Sequence, residues 1–361
     1  MTNNKSKNIS PAIVLIFLAP LITEILPGAT RFSSLFVFPI QVIVWGGGAL
    51  LIRYVIRRKQ LGWKSMLYLA LVLSIAEEFL IQQTSIAPLV IHLKGETYAR
   101  ALGINYVYLL WALIYESVSV VILPIYLTEL IFPERKKDLW VNKGGVVLFS
   151  VLFLLGSFAA WFTWTQIARV KVFHVPAYSP SFPLIGTAII GISILIFMAT
   201  RKSGKKSLPI QQINPPTSWV LMVSGGAWSV ILYGLVLLGF GVQPAFPPIV
   251  AVLVGLFLAI VALYFLPRWA NHTHWNRLHT FSIIFGVMLG SMLISFIGFI
   301  GALPKDLYFK IIVDAIAIFL MIRLGLKINK QSISDMYIEE AHATPANHDD
   351  KISEESELNL K

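Results

Sequence analysis

Apolar runs of about 17–25 residues, the length that carries a helix across a ~30 Å hydrocarbon layer, recur along the chain with short polar breaks between them. They fall at 11–27, 34–56, 65–86, 105–131, 145–165, 183–200, 217–240, 246–266, 279–301 and 308–326. The pattern predicts an all-α, polytopic transmembrane helical bundle of about ten spans. The first and tenth segments are short and each holds an acidic residue, so a merge or split there would change the count. Three stretches follow from the polarity: 1–135, with polar residues inside spans one to four; 136–327, with apolar spans five to ten; and 328–361, an acidic segment that reads as a solvated, disordered cytoplasmic tail.

Composition sharpens the class. With 57% hydrophobic and 13% charged residues, against roughly 25% charged in a soluble domain, the apolar excess must face lipid, and the bilayer is the first expected partner. The absence of cysteine removes disulfides, thiol nucleophiles and thiolate metal sites. Only Lys5 and Lys7 precede the first apolar stretch, which lacks a small-residue cleavage pattern and reads as a retained span. The net charge of +11 does not point to nucleic acid, because its sources are loops of alternating character. Arg57-Arg58-Lys59, Arg135-Lys136-Lys137, Arg201-Lys202 and Lys205-Lys206 share one side, and only Arg31, Lys94, Arg100, Arg169, Lys171, Lys305 and Lys310 fall on the other. The positive-inside bias then puts both termini in the cytoplasm. Trp63, Tyr106, Trp140 and Trp269 sit near span ends and fit the interfacial aromatic belt.

Candidate chemistry concentrates in the first half. Glu24, Glu77, Glu78, Glu116 and Glu129 lie in or beside spans one to four, with Gln41, Gln82 and Gln83 among them. An ionisable side chain at mid-membrane costs about 2.5–3.5 kcal/mol or more, so it faces the bundle interior and is a functional candidate. At 1.5 Å rise per residue, Glu24, Glu77, Glu78 and Glu116 each lie about 16–20 Å into their helices, in one slab near the bilayer centre. Ser74, Glu78, Gln82 and Ser85 form one helical stripe from which Glu77 points away, which favours Glu78 as the inward-facing acid. Tyr108, Ala112, Glu116 and Ser119 share a face of span four, and Pro124 is placed to kink it. Gly46-Gly47-Gly48 in span two allows close backbone approach or a local break. Pro20 precedes Glu24 by one turn, and Pro27-Gly28 ends span one. Glu129, beside Glu134-Arg135-Lys136-Lys137, reads as an interfacial charge, and Asp306, Lys310 and Asp314 as an i,i+4 ladder at a helix start. The histidines at 92, 174, 272, 274 and 279 fall in loops or at helix ends, so no metal site and no cofactor is expected.

Two resemblances are carried by these residues. The run Glu24-Ile25-Leu26-Pro27-Gly28-Ala29-Thr30, then Gly46-Gly47-Gly48-Ala49-Leu50-Leu51-Ile52-Arg53, Arg57-Arg58, Gly62-Trp63, Glu77-Glu78 and Phe132-Pro133-Glu134-Arg135 resembles a family of uncharacterised bacterial polytopic membrane proteins. That resemblance covers the first 135 residues and implies a bacterial inner-membrane location. Ile75-Ala76-Glu77-Glu78-Phe79-Leu80-Ile81-Gln82 is similar to the EExxxR helix of CAAX-type intramembrane glutamate proteases, with Gln82 at the Arg position and no intramembrane histidine on later spans.

Three function classes stand: a proton- or cation-coupled carrier of a small solute, in which Glu78 or Glu116 loads and releases a proton as water access alternates; an intramembrane hydrolase with Glu77 or Glu78 as base; and a non-catalytic scaffold. Transport is preferred over an enzyme. For Glu78 and Glu116 a proton or cation site and a neutral acid hydrogen-bonded between helices stand level; for Glu77 and Glu24 the structural role leads. Oligomeric state is not legible in the sequence.

Overall fold

A computed structural model of the protein describes residues 9–88, 98–201, 211–239 and 245–343. Each predicted segment coincides with a helix: α1 Pro11–Ile25, α2 Phe32–Arg58, α3 63–81, α4 Tyr106–Ile131, α5 Lys143–Val172, α6 Phe182–Thr200, α7 Ser218–Gly239, α8 Pro248–Ala270, α9 Arg277–Phe299 and α10 Pro304–Ala343. Among the described residues the only strands are Arg100–Ala101 and Ile104–Asn105, a two-residue antiparallel pair, so the fold is all-α.

Seven of these helices, α2 and α4 to α9, are long and apolar enough to cross a membrane. The others fall short for identifiable reasons: α1 in length, α3 because it carries Lys64, Glu77 and Glu78, and α10 because Lys310, Asp314 and Arg323 interrupt its apolar stretch. The outer faces of α5, α6 and α8 display Leu154, Phe158, Phe197, Phe257 and Ile260 with more than half of each side chain uncovered. An apolar surface of that extent belongs in lipid, and the chain is a multi-pass membrane protein.

Two boundaries differ from the sequence pattern. Helix α3 stops at Ile81 rather than running to 86, for a reason that lies in the site. Helix α10 continues through Ala343, so residues 328–343 are helical and not part of a disordered tail; no Pro or Gly interrupts the chain between Gly325 and Pro345. His92, Lys94, Lys202, Lys205, Lys206 and the stretch from 344 onward lie outside the described residues.

The first four helices share a local irregularity. Each contains a π-helical turn, at Leu21–Ile25, Val42–Gly46, Glu77–Ile81 and Ser117–Ile122. Such turns insert an extra residue and rotate the helix face beyond them, and they cluster at functional sites. Those in α1 and α3 contain the acids themselves, and the one in α4 begins directly after Glu116.

Close helix contacts use small residues, as expected where lipid supplies no hydrophobic force between helices. Gly225 and Gly226 of α7 meet the backbone of Ile283 and Gly286 in α9. At Gly46 of α2, a Cβ would overlap the backbone carbonyl of Ile16 in α1. A Gly46→Val variant is therefore expected to lose at least the ~1–3 kcal/mol of an overpacked core, read as a lower thermal midpoint in detergent. Gly47→Ala, whose Cβ meets nothing within 4 Å, is expected to leave the midpoint unchanged. Equal midpoints for the two variants would sink this account of the α1–α2 contact.

Candidate functional site

The site begins with the end of α3. The backbone N–H groups of Gln82 and Gln83 both donate to the Glu77 carbonyl, at 2.9 and 3.2 Å, and Gln83 takes a positive φ of 63°. The chain thereby reverses instead of adding another helical turn. Thr84 Oγ1 then donates to the Glu78 carboxyl at 2.9 Å, and Ser85 donates to Glu78 Oε2 through its backbone N–H at 2.8 Å and its hydroxyl at 2.5 Å. The expected stripe through Ser85 is thus replaced by a turn folded back onto Glu78. The sequence placed these polar residues correctly along the chain but in the wrong conformation.

Glu116 of α4 is a close neighbour of Glu78 and of Ser74. Glu116 is 8% exposed and its Oε2 has no hydrogen-bond partner. Glu24 accepts from Gln41 Nε2 at 3.1 Å and from Thr30 Oγ1 at 3.3 Å, while Gln41 Nε2 also donates to Thr30 Oγ1 at 2.7 Å. Glu77 is buried and close enough to Glu24 and Glu78 to feel their charge, but it lies behind the cavity wall, and its Oε1 is unpartnered. The structure therefore brings Glu24, Glu77, Glu78 and Glu116 together, and it places Glu78 rather than Glu77 on the cavity.

That cavity has a volume of about 320 Å³ and is lined by Glu24, Glu78, Glu116 and Gln82. Rings make up much of the remaining lining. Trp111 and Tyr115 of α4 stack with centroids 4.6 Å apart, Tyr108 tilts against Trp111 at 5.3 Å, and Tyr233 of α7 meets Trp111 and Tyr115 edge-on at 5.8 and 5.3 Å. The Tyr115 hydroxyl donates to the Thr23 carbonyl, tying α4 to the irregular turn of α1. The other lining residues come from the chain just after α1, from Trp45 of α2, from Thr84 after α3 and from the later parts of α7 and α9. Sequence reasoning missed the aromatic wall. Tyr108, Trp111 and Tyr115 sit at i, i+3 and i+7 on the face that carries Glu116, which was a usable signal; nothing in the sequence tied Tyr233 to them.

Other charged residues are structural. Glu129, expected at the interface, is instead buried between α4 and α2, 3.3 Å from Arg53 and 2.5 Å from Arg57. Arg53 is equally buried, donates to the carbonyls of Asp138 and Lys136 at 3.0 Å, and lies 3.1 Å from the Trp140 ring centroid. The arginines, four residues apart on α2, supply the compensation that lets Glu129 leave the surface. Lys310 pairs with Asp314 as the i,i+4 spacing implies, whereas Asp306 accepts from Ser33. His272 and His274 lie against each other and His279 bonds the Asn276 cap. Among the described residues no three His, Asp or Glu side chains converge as a metal-binding group.

Fold and site together define an all-α multi-pass membrane protein with an acid-and-aromatic cavity. No family model, curated protein or solved structure matches the chain.

Removing one member of a buried ion pair leaves the other uncompensated, at a cost of about 3–5 kcal/mol. Glu129→Ala is expected to lower stability by that order, measured by denaturant unfolding in mixed micelles, and Glu129→Ala combined with Arg53→Met to recover much of it. A fully additive double variant would show that the two side chains do not act as a pair.

Proposed function

We propose that the protein is a carrier that moves a small solute across the membrane in exchange or symport with a proton or cation, using the Glu78–Glu116 pair as its coupling site. In this reading the chain crosses the membrane ten times, with both termini in the cytoplasm of a bacterial cell. The observation that carries it is that Glu78 and Glu116, both buried, line one cavity together with Glu24. Coupling-ion and substrate sites near the bilayer midplane, approached from one side at a time, are the expected arrangement in secondary carriers. On the far side of the acids, Leu69, Leu73, Val120 and Val121 pack into an apolar cluster that separates this cavity from a smaller one of about 220 Å³ beside Arg53, Ile125 and Glu129. The Lys- and Arg-rich loops lie on the side of the smaller cavity, so the positive-inside bias makes the larger one face outward.

The hydrolase reading keeps Glu78 as a water-activating base, following the resemblance of its helix to glutamate proteases. It needs a partner base or a metal-binding group, and among the described residues the cavity lining offers carboxyls, amides and phenols but no imidazole. In the scaffold reading a neutral acid and an amide serve equally well.

Carboxyl infrared difference spectroscopy on the protein in nanodiscs, from about pH 5 to about pH 9 where buried glutamates are known to ionise, separates these readings. The expected result is a carboxyl band that ionises within that range and disappears in Glu78→Gln and in Glu116→Gln, both variants remaining monodisperse. A spectrum unchanged across the range, with variants indistinguishable from wild type, overturns the coupling site and leaves the scaffold.

A further inference from the structure

We propose that the solute taken by this cavity is a small organic cation, an alkylammonium held between the aromatic wall and Glu116. The inference rests on the carrier reading only for what happens after binding; the site stands on its own geometry.

Charge comes first. Glu24, Glu78 and Glu116 line the cavity, and the one basic side chain in the described lining is Arg31 at the rim. Arg31 is already engaged, donating to the Gly298 carbonyl at 2.7 Å and lying 4.8 Å from the Phe299 ring centroid. The interior is therefore acidic without an internal counter-charge, a setting that favours a cationic guest over an anionic one. Glu116 lines that space, more than nine-tenths buried, and its own Oε2 has no hydrogen-bond partner.

The wall selects the kind of cation. Trp111 lies at the centre of a ring cluster with Tyr108, Tyr115 and Tyr233. Aromatic faces attract cations through their quadrupole, tryptophan most strongly, and such walls suit substituted ammonium groups. A bare divalent ion instead needs around six or more oxygen ligands, and here no three carboxyls converge on one point. The volume of about 320 Å³ lies at the lower end of the roughly 300–1,000 Å³ of ligand pockets, so the guest is small.

Isothermal titration calorimetry on the full chain in nanodiscs tests this with choline, tetramethylammonium and the uncharged isostere 3,3-dimethylbutan-1-ol. The cations are expected to bind at least about tenfold more tightly than the alcohol, within the range of a desolvated cation–π contact. Trp111→Leu is expected to weaken cation binding about tenfold, and Tyr233→Phe, which keeps the ring, to change it less than about threefold. In buffers of different ionisation enthalpy, choline binding should release protons in wild type and fewer in Glu116→Gln. Equal affinity for the alcohol would make this an apolar pocket and overturn the proposal, as would binding of sodium without any alkylammonium. Failure of all three probes also overturns it in wild type, whatever the folding of the variants. The infrared titration of Glu78 and Glu116 would still report separately on the coupling site.

Discussion

Four carboxyl groups inside an apolar bundle impose the constraint around which the first half of the molecule is built. Each ionised carboxylate left alone at that depth costs about 2.5–3.5 kcal/mol or more, and each acid meets the cost differently. Glu78 takes three donors from the turn after its own helix. Glu24 takes Gln41 and Thr30, whereas Glu77 and Glu116 each keep a buried oxygen without a partner. The solution for Glu78 has the largest structural effect, because the donors become available only if α3 ends early. That early ending puts the segment 82–88 where another helical turn would otherwise stand. The segment is held from outside: Arg100 donates to the carbonyls of Ile86 and Ala87 at 2.5 and 3.2 Å, and Arg169 to that of Pro88 at 2.9 Å.

The opposite edge of the site depends on α10, the helix with the least regular apolar pattern. Lys310, buried and paired with Asp314, donates to the Leu26 carbonyl at 2.7 Å. Asp306 accepts from the Ser33 backbone at 2.9 Å. These two contacts grip the α1–α2 turn that carries Thr30, so the position of Glu24 is set by charges far away in sequence. The same polar residues that keep α10 from reading as an ordinary span fix the rim of the cavity.

The apolar periodicity revealed all ten helices, because a run of apolar residues leaves a signal along the whole length of each. It placed Glu24, Glu78 and Glu116 together because helical rise is fixed and the three lie at similar distances from their helix ends. The end of α3 was not legible, since Gln82-Gln83-Thr84-Ser85 supports a polar helical stripe as well as a turn until the carboxyl they cap is located in space. The fate of Glu129 was also hidden. Its basic neighbours in sequence suggested an interface, while its true partners, Arg53 and Arg57, come from another helix. Tyr233 was lost in a helix of apolar character, where a single phenol carries no periodic signal.

Glu129 and Glu116 show why the two polar clusters of this bundle have different meanings, although both are acids on α4 and both are buried. Glu129 is neutralised by two arginines, and Arg53 is further fixed by two carbonyls and the Trp140 face. That cluster also borders a cavity, of about 220 Å³, but its charges are paired within the fold, and removing one would strand the other in low dielectric. Among the described residues Glu116 has no cationic side chain beside it; its neighbours are other acids, a hydroxyl and aromatic rings, and it lines the larger cavity. The arginine cluster is thus held by paired charges, whereas the acids beside the larger cavity have only hydrogen-bond donors to compensate them.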